Sequence, residues 1–213
     1  MVGNDYVQYG CGFNAPIEWR NFDVSPTLRF ERLPVIGRLY VKNTSRFPNN
    51  VEYGDIVKGL PIQENSCRSV YCSHVLEHLA LDDFRVALMN THSVLREEGI
   101  FRFVLPDLEF SILKYNQDKN SNASVQFLQE TLLGRESRSK NLSGLLKQWL
   151  GNSEHLWMWD FKSISFELEK AGFVNVRRAV MGDSGDKMFD LVEDRERWNN
   201  ALGVSCNKLL RIF

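Results

Sequence analysis

The segment from residue 69 to residue 105 reads as a strand, a helix and a second strand, and this order limits the fold more than any other feature. Ser69–Ser73 and Ile100–Leu105 are short apolar runs, and the second is stopped by Pro106. Between them, apolar residues recur at helical spacing from Asp82 to Leu95. Two strands joined by a crossover helix lie parallel in one sheet. The sequence therefore predicts an α/β fold.

Five further segments have strand composition, so we expect seven strands. They are residues 6–9, 19–24, 51–56, 174–180 and 203–213. The alternation of strand and helix patterns predicts a doubly wound, mainly parallel sheet. A chain of 213 residues, 43% of them hydrophobic, can bury the core of such a sheet, so we expect one domain over residues 1–213. The polar segment 182–200 is a candidate for a mobile arm.

A helical insertion is predicted after the fifth strand, over residues 108–154. Apolar residues at helical spacing flank the polar run 116–124, and a third helix is expected over about 142–150. An insertion at this place can act as a lid over a substrate, and a simple packing layer is the alternative. Beyond it, Asp160 is a good N-cap for a helix that reaches Ala171.

Charge and cysteine content restrict the function classes. Lys and Arg together number 26 and Asp and Glu 27, so a net charge of -1 provides no global attraction to nucleic acid or to an anionic membrane. No apolar run approaches the roughly 20 residues of a membrane span, and we expect no integral membrane segment. The four cysteines form no Cys-x-x-Cys pair and no signal-peptide pattern opens the chain. We expect a reduced, cytoplasmic protein.

Glycine and acidic residues stand where the first three predicted strands end. Gly10 and Gly12 flank Cys11 after the first strand and let the backbone approach a ligand closely. Asp23 ends the second strand, where a carboxylate can accept the hydroxyls of a ribose. Asp55, with the backbone of Ile56, can read the edge of an adenine; the alternative is a turn residue bonded to its own backbone.

The order of these motifs resembles that of the class I S-adenosylmethionine-dependent methyltransferases, and the small type 11 subgroup most closely. The motifs are Tyr9–Gly12, Asn21–Val24, Tyr53–Ile56, Leu60–Ile62, Tyr71–Leu79, Val94–Gly99 and Leu105–Glu109, followed by His155–Asp160 and Leu168–Phe173. The resemblance implies a Rossmann-like fold and S-adenosylmethionine as cofactor.

The resemblance also implies a role for each matching residue. Gly10, Cys11 and Gly12 would run beneath the methionine part of the cofactor. Asp23 would bind the ribose hydroxyls, and Asp55 and Ile56 would contact the adenine. Ser73 and His74 would lie beside the sulfonium and the incoming acceptor.

The implied reaction is transfer of a methyl group to a small-molecule or glycan acceptor. For a hydroxyl acceptor the protein must also remove a proton. His74, His155 and Asp107 are the candidate bases, since two are imidazoles and the third follows the fifth strand. Trp157 and Trp159 near His155 would form a stacking wall for a sugar or aromatic acceptor, or else belong to the core.

Two other functions stay open. A cofactor-binding or interaction module without catalysis is favoured by Ala15, which replaces the third glycine of the Gly-x-Gly-x-x-Gly pattern. A zinc hydrolase is suggested by His74-x-x-Glu77-His78, the inverted zinc-protease spacing. A catalytic zinc site needs a third protein ligand, and none stands out downstream, so we expect no metal. Glu77 and His78 would otherwise have structural roles where a helix begins. The acceptor atom and the oligomeric state are left open.

Overall fold

Seven strands form one sheet in the computed structural model, which describes residues 5–34, 46–134 and 154–209. Their order across the sheet is β3-β2-β1-β4-β5-β7-β6. The strands are β1 (Tyr6–Tyr9), β2 (Arg20–Asp23), β3 (Val51–Tyr53), β4 (Cys67–Ser73), β5 (Leu95–Pro106), β6 (Phe173–Ala179) and β7 (Ala201–Lys208).

Strands β3, β2, β1, β4 and β5 run parallel, and β7 is antiparallel to both of its neighbours, β5 and β6. This confirms the mainly parallel, seven-stranded sheet. The chain order reverses between the adjacent strands β1 and β4. In open α/β sheets, a crevice for ligands forms outside the carboxyl ends of the strands at such a reversal.

Six α-helices are described. They are α1 (Pro26–Glu31), α2 (Leu81–Val94), α3 (Leu108–Gln117), α4 (Ala123–Glu130), α5 (Phe161–Lys170) and α6 (Arg195–Trp198), and single 3-10 turns lie at Leu76–His78 and Lys187–Leu191. Ser25 caps the first helix and Pro26 begins it, so the Ser-Pro pair does not merely end β2. Asp160 caps α5 as expected, accepting a hydrogen bond from the backbone N–H of Ser163 at 2.7 Å.

The fifth strand is longer than its sequence pattern predicts. It begins at Leu95, directly after α2, instead of at Ile100. Leu95 pairs with Cys67, and a register shift separates this pair from the regular pairing that starts at Ser69 and Ile100. The polar residues at 96–98 have no strand signature of their own and lie in the irregular stretch between these two pairings with β4.

The sheet buries an apolar core on each face. Val70 and Cys72 pack in one core, with Phe84 and Leu88 of α2 and Ile164 and Leu168 of α5. Tyr71 lies between them on β4 and therefore points to the opposite face. There it packs against Trp19, Phe189 and Val192.

The prediction of a mobile arm over residues 182–200 is wrong. Phe189 in this segment is fully buried. Arg102 of β5 has no exposed side-chain surface; its guanidinium donates to Asp183 Oδ1 at 2.7 Å and to the Glu193 carboxylate. Burying a charge requires charged or polar partners. The polar composition of the segment therefore reflects pairing with a buried arginine.

The first two helices predicted for the insertion are α3 and α4. They contact each other through Tyr115 and Phe127, whose ring centroids lie 5.6 Å apart. The third predicted helix, over about 142–150, and the last residues of the seventh predicted strand, 210–213, lie outside the described residues. The lid role of the insertion stays a prediction.

Candidate active site

A cleft of about 240 Å³ opens where β1, β2, β3 and β4 end, and we call it the strand-end cleft. It brings together five of the residues predicted to bind the cofactor. They are Gly10, Asp23, Asp55, Ile56 and His74. Their separation along the chain is large, and they meet because the carboxyl ends of parallel strands share one edge of the sheet.

Gly10 forms part of the wall of the strand-end cleft and can only be glycine. Its φ is +66°, a conformation that side chains with a Cβ rarely adopt. A Cβ added here would lie 2.2 Å from Val75 Cγ2, at the end of β4. The glycine therefore lets β1 and the end of β4 approach closely. Gly12 has a similar φ of +55°, but an added Cβ would meet no described atom within 4 Å.

Hydrogen bonds from the backbone orient Asp23. Its Oδ2 accepts from Gly12 N at 2.9 Å, and its Oδ1 accepts from Ser25 N at 2.7 Å. Each carboxylate oxygen has a second lone pair for a ligand hydroxyl. Asp55 makes the turn contact expected of the alternative interpretation, with Oδ1 accepting from Val57 N at 3.1 Å, and it lines the cleft as well.

Cys11, Gly12 and Ser73, also predicted to lie at the cofactor, are not among the described residues that line the strand-end cleft. Burial, with a smaller effect of the Asp23 carboxylate, raises the pKa of the Cys11 thiol to about 12. Ser73 is engaged by Arg197, which donates to its Oγ and to its carbonyl oxygen, both at 2.7 Å. Sequence reasoning missed Arg197 because its segment read as a polar arm.

His74 has a positive φ angle, and each of its two ring nitrogens has a polar contact. Its φ of +51° lies in the left-handed region, which residues with a side chain occupy uncommonly, although histidine does so more often than most. Ring atom Nε2 lies 2.8 Å from the Arg197 carbonyl oxygen. Because a carbonyl only accepts, Nε2 carries the proton. Nδ1 lies 3.2 Å from Glu77 Oε1.

All three predicted bases line a second cavity, of about 330 Å³, which we call the insertion cavity. Its walls include Phe110 of α3 and Phe127 of α4, in addition to His74, Asp107 and His155. His74 lines both this cavity and the strand-end cleft. His74 is therefore part of the wall of both spaces.

The other two candidate bases have different surroundings. Asp107 caps α3: its Oδ1 accepts from Glu109 N at 2.8 Å, and its Oδ2 lies 3.5 Å from Arg178 Nη1. Burial lowers the pKa of His155, against the opposing effect of the Glu77 carboxylate. His155 is therefore mainly neutral at pH 7.

Glu77 lies at the centre of a cluster of three histidines, which we call the histidine cluster. Its side chain is fully buried, and neither carboxylate oxygen has a hydrogen bond within the described chain. Oε1 lies 3.2 Å from His74 Nδ1, 4.0 Å from His78 Nε2 and 3.9 Å from His155 Nε2. The spacing His74-x-x-Glu77-His78 was visible in the sequence. The presence of His155 in this cluster could not be predicted from the sequence.

Backbone hydrogen bonds attach the loop that carries His155 to the turn that carries Glu77. Leu156 N and Trp157 N both donate to the Glu77 carbonyl oxygen, at 2.8 and 3.1 Å. Trp159, which was predicted to form either a stacking wall or part of the core, is buried against Phe84. Trp157 remains 39% exposed.

Comparison with known proteins agrees with this geometry. A family model described as a methyltransferase domain matches residues 36–103. A search of curated protein sequences finds no significant match. No helix among the described residues is long and apolar enough to cross a membrane.

Solved structures share the fold at low sequence identity. An S-adenosylmethionine-dependent methyltransferase from Methanosarcina mazei has a TM-score of 0.51 at 14% identity, over 99% of this chain and 95% of that chain. Another from Archaeoglobus fulgidus has a TM-score of 0.50 at 14% identity, over 97% and 86%. A chain in the complex between the Haloferax volcanii Trm112 methyltransferase activator and a methyltransferase has a TM-score of 0.50 at 13% identity, over 98% and 84%.

Two of these structures are of S-adenosylmethionine-dependent methyltransferases, and at 14% identity they share the fold of this chain. The chain therefore has the fold of the class I S-adenosylmethionine-dependent methyltransferases, and the family match over residues 36–103 confirms the resemblance carried by its motifs.

Proposed function

We propose that this protein transfers a methyl group from S-adenosylmethionine to a small-molecule or glycan acceptor. The observation that carries the proposal is that the strand-end cleft and the insertion cavity are neighbours that share His74 as a wall residue. One space holds residues suited to a nucleoside, and the other holds the candidate bases. A methyl donor and an acceptor must face each other in neighbouring spaces of this kind.

The strand-end cleft would hold the cofactor. Gly10 lets Val75 pack closely against β1 in the wall of the cleft, Asp23 would accept the ribose hydroxyls, and Asp55 with Ile56 would contact the adenine. The sulfonium of the bound cofactor supplies an already activated methyl group. The remaining task of the protein is to orient the acceptor and to take up its proton.

The insertion cavity would hold the acceptor. Its volume of about 330 Å³ lies at the lower end of the range of small-ligand sites. Phe110, Tyr115 and Phe127 offer apolar contact, and Lys114 with Glu130 offers polar groups at its wall. This combination favours a small, partly polar molecule such as a sugar over a nucleic acid.

We assign the proton-accepting role to His74 in preference to Asp107. His74 lines both spaces, whereas Asp107 lines only the insertion cavity. Because His74 Nε2 already donates to the Arg197 carbonyl, Nδ1, which lies 3.2 Å from Glu77 Oε1, is the ring atom that would take up the proton. His155 lines only the acceptor side. Substitution of His74 by Gln is expected to abolish most methyl transfer. Asp107→Asn keeps the helix cap, because Asn is an equally good N-cap, and should retain activity.

Calorimetric titration with S-adenosylmethionine and S-adenosylhomocysteine tests the cofactor site. Asp23→Asn should weaken binding of both by about 10–100-fold, since a hydrogen bond to a charged group is worth about 1.5–3 kcal/mol. Asp82→Asn is the matched control, because the Asp82 side chain is 97% exposed on α2. Absence of binding of either ligand to the unaltered protein would contradict the proposed function.

A second candidate is a module that binds the cofactor without catalysis. It is favoured by the hydrogen bonds from Arg197 to Ser73, which engage a side chain predicted to lie beside the sulfonium. This candidate predicts cofactor binding with no transfer of labelled methyl groups to any member of an acceptor panel. All four cysteines are free thiols, which supports a reducing, cytoplasmic compartment for either function.

A further inference from the structure

Burial of the Glu77 carboxylate costs desolvation free energy, and no hydrogen bond from the described residues offsets this cost. The Glu77 side chain is fully buried and both carboxylate oxygens lack a hydrogen bond within the described chain. A buried carboxylate is stable only when it is paired, hydrogen-bonded or bound to a metal ion. The nearest atom is His74 Nδ1, at 3.2 Å from Oε1, which has no proton in the neutral ring because His74 Nε2 donates to the Arg197 carbonyl. The next nearest are Nε2 of His155 and Nε2 of His78.

The ring of His78 faces Glu77 with a lone pair. Its Nδ1 lies 3.0 Å from the carbonyl oxygen of Glu154, which can only accept, so Nδ1 carries a proton. In the neutral ring, Nε2 is then unprotonated, and it lies 4.0 Å from Glu77 Oε1. A histidine held in this way, with one nitrogen bonded to a backbone carbonyl, has the usual arrangement of a metal ligand.

His155 adds a third ligand from a distant part of the chain. Its Nε2 lies 3.9 Å from Glu77 Oε1, and its ring packs edge-on against that of His78, with centroids 4.9 Å apart. One ligand atom from each of Glu77, His78 and His155 lies within 4.8 Å of the others. The bonds from Leu156 N and Trp157 N to the Glu77 carbonyl hold the two segments together before any ion binds.

We propose that Glu77, His78 and His155 bind a divalent transition-metal ion of the zinc type. Two imidazoles and one carboxylate are the protein ligands of several catalytic zinc sites, whereas Mg²⁺ and Ca²⁺ prefer oxygen ligands throughout. Zn–N and Zn–O bonds of about 2.0–2.1 Å place tetrahedral ligands about 3.3 Å apart. The two distances to Glu77 Oε1, 3.9 and 4.0 Å, exceed this by less than an ångström, and the widest pair of ligand atoms, at up to 4.8 Å, exceeds it by about 1.5 Å, so side-chain rotations must draw the three ligands together around the ion.

The location of this site suggests its task. His78 lines the strand-end cleft and His155 lines the insertion cavity, so the three ligands lie between the cofactor and acceptor spaces. Three protein ligands leave a coordination position open. That position would bind and orient an oxygen atom of the acceptor, which favours a hydroxylated acceptor. This role, unlike metal binding itself, rests on the proposed methyltransferase function.

Metal binding is tested on the whole chain, stripped with chelator and titrated with Zn²⁺ by calorimetry, with the bound metal counted by mass spectrometry. We expect one zinc ion per chain. His78→Ala and His155→Ala should each weaken zinc binding by at least about a hundredfold. His92→Ala is the matched control, because His92 is the fourth histidine and lies outside the cluster, against Phe173. Glu77→Gln keeps the size of the side chain and should also lose zinc.

Binding of S-adenosylhomocysteine separates this inference from the proposed function. Because His78 itself lines the strand-end cleft, folding of each variant is checked by circular dichroism and urea unfolding, and loss of zinc by a folded variant would support the site. If the variants do not fold, thermal stabilisation of the unaltered protein by Zn²⁺ gives a second measurement. Absence of zinc binding and of stabilisation in the unaltered protein, or equal binding by all three histidine variants, would overturn the site. Zinc binding without cofactor binding would overturn the proposed function and leave the site standing.

Discussion

Replacement of Gly10 by Ala is the sharpest test of how the strand-end cleft is built. Two separate effects oppose a side chain at this position. The φ of +66° is unfavourable for any residue with a Cβ, and the new Cβ would lie 2.2 Å from Val75 Cγ2. Gly12→Ala isolates the first effect, because φ there is +55° and the added Cβ would meet no described atom within 4 Å.

The magnitudes follow from these two effects. A left-handed conformation costs a residue with a Cβ about 1–2 kcal/mol, which is the loss expected for Gly12→Ala. Overpacking adds about 1–3 kcal/mol at Gly10, so Gly10→Ala should lower the free energy of unfolding by about 2–5 kcal/mol. Val75 also lines the cleft, so its displacement should weaken binding of S-adenosylhomocysteine.

Urea unfolding monitored by tryptophan fluorescence measures the free energy of unfolding for each variant. Val75→Ala removes the clashing methyl group, so in a double-mutant cycle it should recover the overpacking part of the Gly10→Ala loss and leave the part due to φ. Equal losses for Gly10→Ala and Gly12→Ala would refute this reasoning. Absence of coupling between Gly10→Ala and Val75→Ala would refute it as well.

Three further predictions concern other parts of the chain. Arg102→Met leaves the buried Glu193 carboxylate unpaired and should cost about 3–5 kcal/mol in urea unfolding; a loss under about 1 kcal/mol would contradict the pairing. Asp160→Ala removes a helix cap and should cost about 1 kcal/mol at pH 7. Hydrogen bonds from Ser163 lower the pKa of Asp160, so the stabilisation is complete above the unfolded pKa of about 3.9 and is lost as the pH falls through the lower folded value. The thermal unfolding temperatures of the unaltered protein and of Asp160→Ala should therefore converge towards pH 2, and a difference between them that does not change with pH would argue against the cap. Cys11, with a pKa of about 12, should react with iodoacetamide at pH 8 at least about a hundredfold more slowly than an ordinary thiol; mass spectrometry that shows equal rates would exclude its burial.

Local patterns in the sequence were sufficient to predict most of the sheet. β4 is an apolar run buried on both faces, and α2 buries Phe84, Ala87 and Leu88 at helical spacing. Both signals come from which side of an element faces the core. The extension of β5 back to Leu95 had no such signal, because residues 96–98 are polar and the extension depends on the pairing of Leu95 with Cys67 of β4.

The candidate cofactor residues could be predicted for a similar reason. Asp23 and Asp55 follow strands, and the carboxyl ends of parallel strands meet at one edge of a sheet. The partners of Ser73 could not be predicted. Arg197 reaches Ser73 from a segment whose polarity resembles that of an exposed arm. This segment packs because Phe189 is buried in the core and because Asp183 and Glu193 pair with the buried Arg102.

The sequence alone therefore determined the α/β class, the strand-end residues and the family resemblance, since periodicity and the order of motifs are local properties of the chain. Only the tertiary structure decided that His74 lines two cavities and that His155 completes a cluster with Glu77 and His78. His155 reaches Glu77 through backbone hydrogen bonds between distant segments. Contacts of this kind depend on how elements pack in space, and no pattern of neighbouring residues specifies them.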